Sequence, residues 1–133
     1  MPEPTPAGGL DAAGERIARQ LFGDERYERT RTFAPDGYRA ALLRLADRVV
    51  FGTVYADDTL PLRERSLCTI AVLAALGHEQ QLRAHIGGAL QVGISEEGIA
   101  AVITQVAMYA GYPPALNAMA AAEEVFASWT EGA

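Results

Sequence analysis

Two histidines are the groups in this chain best suited to proton chemistry, and both fall in one stretch, Arg63 to Ile94. The first half of that stretch, Ser66 to Leu76, is almost wholly apolar or small and must be buried. The second half changes character at Gly77 and carries His78 and His85 with polar residues between them. A spacing of seven is two helical turns, so a continuous helix would project both side chains from one face. Imidazole ionises near neutrality and shifts readily with its surroundings, which suits a general acid or base beside apolar surface. His85 and His78 are both candidates for that work. Arg65 is placed to hold a carboxylate through its planar fork of donors. Thr53 and Tyr55 are candidates for neutral hydrogen bonds to substrate. A shared metal ion does not fit, because seven helical residues separate the two histidines by about 10 Å, whereas a helical ligand pair is four apart.

The elements that must position these groups are helical. The 133 residues, half of them hydrophobic, suffice for one domain with a single core. Residues 1–9 hold three prolines and two glycines and read as a disordered tail, with the helical domain spanning residues 10–130. Apolar residues recur at helical period from Leu10 to Phe22, with Gly23 as a stop, and again from Tyr38 to Val50. Between them, DERYERTRTFAPDGY, broken by Pro35 and Gly37, reads as a charged connector with about one turn of helix. Phe51–Tyr55 is expected to continue or bend the preceding helix. Pro61 suits the first position of a helix that runs to Leu76. A further helix begins near His78 and ends at Gly93. Ser95, followed by Glu96 and Glu97, caps the next one, which stops at Gly111; Pro113 and Pro114 open the last. With no alternating strand pair, the fold class is all-α, a bundle of about six helices. Small residues on several helix faces leave apolar surface for a subunit interface, so a homo-oligomer is expected.

Several function classes are disfavoured. A net charge of −6 argues against nucleic acid, which wants a basic footprint. No apolar run reaches the roughly 18 residues of a spanning segment, so no membrane association is expected. The N-terminus lacks the charge and apolar pattern of an export signal, and Cys68 is the lone cysteine, which together point to a reducing cytoplasm. A single cysteine cannot form a CxxC redox pair. There is no glycine-rich phosphate loop, dinucleotide fingerprint or Ser-His-Asp order, and no cofactor is called for.

The order of segments resembles the carboxymuconolactone decarboxylase family. The matching pieces are Pro61–Leu67, Thr69–Ala71, Leu76–Glu79, Leu82–His85, Gly93–Glu97, Tyr109–Pro113 and Ala122–Phe126. The resemblance covers about residues 12 to 128 and implies an alkylhydroperoxidase D-like helical fold assembled as a ring, a trimer or hexamer. It also implies one of two chemistries: decarboxylation of γ-carboxymuconolactone, or peroxide reduction by a CxxC pair with a histidine four residues on. Carried over position by position, the family histidine falls on His85, the two peroxidatic cysteines on His78 and Gln81, and a glutamate of the peroxidase type on Ser66. The thiol chemistry is therefore absent. The decarboxylase type commonly has Trp-Gly-Glu where this chain has Phe51-Gly52-Thr53, and a threonine cannot transfer a proton as a carboxylate would. The expectation is a cofactor-free decarboxylase acting on a small carboxylated lactone or related carbonyl compound. An isomerase or cyclase of a biosynthetic pathway needs the same proton handling, and a non-catalytic ligand-binding oligomer is the rival from outside enzymology.

Overall fold

The computed structural model describes residues 9–32 and 37–131. The expected N-terminal tail lies almost wholly outside the described residues. Among them are seven α-helices and one π-helical segment, with no strand. The helices are α1 (Gly9–Phe22), α2 (Asp24–Thr32), α3 (Tyr38–Ala46), α4 (Leu62–Leu76), α5 (Glu79–Gln91), α6 (Glu96–Ala110) and α7 (Tyr112–Glu131); the π-helix, Asp47–Val54, continues α3. The described residues fall into two compact units that divide after Leu62.

In the first unit the charged connector corrects the sequence reading, because Asp24–Thr32 is a helix of nine residues. Local electrostatics account for it. The Arg19 guanidinium donates to Glu15, Asp24 and Glu28, and it sits 4.5 Å over the ring of Tyr27. Glu25 and Arg29 add a pair one turn apart, 3.2 Å. Tyr27 is buried, so this polar helix is anchored by one aromatic face.

The π-helix packs against α1 at a point where no side chain fits. A Cβ on Gly14 would lie 1.8 Å from the carbonyl oxygen of Asp47. The backbones therefore approach as closely as glycine allows. Around this contact Phe51 meets Phe22 and Tyr55 edge to face, with centroids 5.7 and 5.2 Å apart. Tyr55 closes the segment with an N–H bond to the carbonyl of Val50, five residues back, at 2.7 Å. The widened turn is thus a defined structure, of a kind that recurs at functional sites.

The second unit has an apolar core shared by all four of its helices. Ile70 and Ala74 come from α4, Leu82 and Ile86 from α5, Ile99 and Ile103 from α6, and Ala118, Ala121 and Ala122 from α7. The alanines let α7 approach its neighbours closely, which explains how so many small residues still make a dense core. Gly77 ends α4 in the left-handed region, with φ 74°. There the N–H of Gly77 bonds Ala74 and that of His78 bonds Leu73, at 3.2 and 3.0 Å. Gly93 ends α5 in the same way, the N–H of Ile94 reaching Ala89 at 3.0 Å. Ser95 caps α6 as expected, its Oγ accepting from the N–H of Gly98 at 3.0 Å.

Candidate functional site

His85 lies in the middle of α5, between the core residues Leu82, Ile86 and Ala89. Its side chain is half-buried. Burial penalises the imidazolium and pulls the pKa from the usual 6.5 down to about 4. At neutral pH His85 is therefore a neutral imidazole, with a nitrogen able to accept a proton.

His78 is differently placed. It is the residue before α5, with φ −86° and ψ 72°, outside the helix proper. The spacing of seven is therefore not two turns of one continuous helix, because His78 is the non-helical N-cap of α5 and His85 lies within it. His78 is exposed, and its side chain makes no cap to the helix it precedes. Arg65 is half-buried on the second turn of α4. Its backbone carbonyl accepts from the Thr69 hydroxyl at 3.0 Å.

Thr53 and Tyr55 belong to the first unit. Thr53 is exposed, and its hydroxyl donates to the carbonyl of Arg48 at 3.1 Å, a reach of five residues that the π-turn permits. The Tyr55 ring is buried against Phe51.

Two features of the second unit were not singled out as functional in the sequence. One is an apolar groove of about 430 Å³ between α4 and α6, walled by Leu67, Cys68, Val72, Val102 and Tyr109 among others. None of His85, His78 or Arg65 lines it. The thiol of Cys68 is exposed on its wall. The other is Ser66, fully buried on the core-facing side of α4, whose Oγ has no hydrogen-bond partner among the described residues. No periodicity argument could have found it, since a serine in an apolar run reads as a small spacer. Among the described residues no cluster of three or more His, Cys, Asp or Glu side chains is arranged to hold a metal ion.

The family model for "Carboxymuconolactone decarboxylase family" matches residues 40–124. That span is more than half of the chain. The chain belongs to the carboxymuconolactone decarboxylase family. A curated relative, the 4-carboxymuconolactone decarboxylase of Acinetobacter baylyi (strain ATCC 33305 / BD413 / ADP1), is 33% identical over 113 residues. That alignment covers 85% of this chain and 84% of the relative. The all-α architecture agrees with membership. All five candidate residues, Thr53, Tyr55, Arg65, His78 and His85, fall inside the family match. No helix among the described residues is long and apolar enough to cross a membrane.

Proposed function

We propose that this family member is a cofactor-independent carboxy-lyase acting on a small carboxylated lactone, with His85 as its proton-transfer group. The observation that carries the reading is a desolvated, neutral histidine held on a core-packed helix of a carboxymuconolactone decarboxylase family chain. The activity named for the Acinetobacter baylyi relative supplies the reaction class.

The chemistry follows from charge. A bound carboxylate beside His85 favours the imidazolium and raises its pKa, reversing the effect of burial. Breaking the carbon–carboxylate bond releases carbon dioxide and leaves the electron pair on an extended enolate. The imidazolium then gives its proton to carbon and returns to the neutral form that burial prefers. Solvent restores the proton for the next cycle, so one carboxylate and one proton become carbon dioxide and a protonated product. The neutral resting state is an advantage here, because the cation forms only when an anion is present to favour it.

Arg65 holds a substrate carboxylate by its paired donors, and His78, exposed at the start of α5, helps receive or orient the ligand. Where relatives of the decarboxylase type have a carboxylate, Thr53 offers only a hydroxyl, which leaves His85 as the proton donor. The protein works as a ring-like homo-oligomer in the cytoplasm, which accords with Val72, Leu76, Met108 and Leu116 standing exposed on α4, α6 and α7.

The test is proton NMR of γ-carboxymuconolactone with the purified protein and with H85A. Loss of substrate signals with wild type, and at least a hundredfold slower loss with H85A, is the expected result. Undiminished turnover by H85A would remove His85 from the mechanism. No turnover by folded wild type would remove this substrate.

A further inference from the structure

Ser66 stands on the ridge of α4 that continues through Ile70 and Ala74, and all three are buried, at 0%, 0% and 1% exposure. Among the described residues of the second unit it is the polar side chain that is wholly buried. A hydroxyl in a helix ordinarily satisfies itself on the carbonyl one turn back. Other helical hydroxyls here do so: Thr69 donates to Arg65, Thr104 to Ala100 and Thr130 to Phe126, at 3.0, 2.8 and 3.1 Å. Ser66 has the same option and does not take it, since its Oγ lacks any partner among the described residues. Those three threonines are half-buried or exposed, so water would serve their hydroxyls in any case. The one hydroxyl that most needs a partner is the one without it.

A buried donor left unpaired opposes folding, and native chains rarely keep one without a use for it. Its position is pertinent. Ser66 follows Arg65 directly on α4, and the helix after it carries His85, with Ile70, Ala74, Leu82, Ile86 and Ala89 joining the two helices in one core. We propose that Ser66 is a substrate-contacting residue, whose hydroxyl donates to a carboxylate or enolate oxygen of the bound substrate. This rests on the carboxy-lyase reading for the identity of the ligand. The chemical requirement is an anionic oxygen that can reach a hydroxyl buried on the apolar ridge of α4. A hydroxyl that pairs only when the ligand arrives adds binding selectivity for an oxygen-bearing group, at the expense of stability in the free protein.

The experiment compares wild type, S66A and, as a control, T104A, by thermal unfolding without ligand and by kinetics on γ-carboxymuconolactone. Alanine removes the hydroxyl and keeps the helix, so S66A folds. The expected result is that S66A unfolds at or above the wild-type temperature and loses at least tenfold in kcat/KM, while T104A keeps wild-type activity. Equal kcat/KM in S66A overturns the proposal. So does a lower unfolding temperature, because the hydroxyl would then be supporting the fold. If wild type does not turn over the lactone, the carboxy-lyase reading fails on that substrate, and the ligand-free comparison decides for Ser66: an unfolding temperature at or above that of wild type supports a hydroxyl held for a ligand, and a lowered one overturns it.

Discussion

Protonation of His85 should couple the stability of this protein to pH in a specific window. The folded pKa is lowered by burial from 6.5 to about 4. Above pH 6.5 the imidazole is neutral in both folded and unfolded chains and contributes nothing. As pH falls from 6.5 towards 4, the unfolded chain takes up a proton that the folded chain refuses, so stability drops. Each pH unit in that window costs about 1.4 kcal/mol, and the loss levels off at roughly 3 kcal/mol once the folded chain also protonates. Other groups titrate in the same range, so the quantity to measure is a difference. Urea unfolding of wild type and H85Q at pH 7.5 and 4.5 isolates the histidine, because glutamine does not ionise. Wild type should lose about 2.5 kcal/mol more than H85Q between these conditions. The imidazole Cε1 proton should titrate near 4 in the ligand-free protein and move upward when a carboxylate ligand binds. A difference between the two proteins that stays constant within about 0.5 kcal/mol would refute the desolvation argument, and with it the neutral resting state of the mechanism.

Other expectations follow from particular contacts. Gly14→Ala places a Cβ against the Asp47 carbonyl at 1.8 Å, and backbone cannot step aside as a side chain can. It should destabilise by at least about 2 kcal/mol and disturb the π-helix, read by urea unfolding and by the near-ultraviolet circular dichroism of Phe51 and Tyr55. Ile103→Ala empties a fully buried position in the second unit and should cost about 2–5 kcal/mol in the same unfolding assay. Ser95→Ala removes the cap on α6 and should cost about 1 kcal/mol, with Ser95→Gly nearer neutral. By contrast Glu124→Gln breaks an ion pair with Arg83 at 3.0 Å on a solvated surface, and stability should change by less than about 1 kcal/mol.

Most of the helical plan is legible from local chemistry. Gly77, Gly93 and Ser95 act where their types allow, since caps and left-handed terminators are decided within a few residues of chain. The family, too, is carried by the order of short segments along the sequence, and the match over residues 40–124 agrees with it. Even so, a helix such as Asp24–Thr32 escapes a hydrophobic-period reading. It is held by one cation of the preceding helix, Arg19, reaching forward to it and by one buried tyrosine, and neither leaves a repeating apolar stripe.

What the sequence by itself determined is the all-helical class, the family, and His85 as the histidine with apolar neighbours on its own helix. The tertiary structure decided the properties that depend on solvent and on register. A spacing of seven suggested one shared helix face for His78 and His85, and a non-helical ψ at His78 separates an exposed cap residue from a half-buried, desolvated imidazole. Ser66 opens a run of small and apolar residues, and only burial together with the hydrogen bond it does not make shows an unsatisfied donor. Gly14 carries no sign in the sequence of the Asp47 carbonyl set against it. Residue type and spacing specify local backbone preference, whereas a pKa, an unpaired hydroxyl or a backbone contact arises from groups distant in the chain that exclude water from one another.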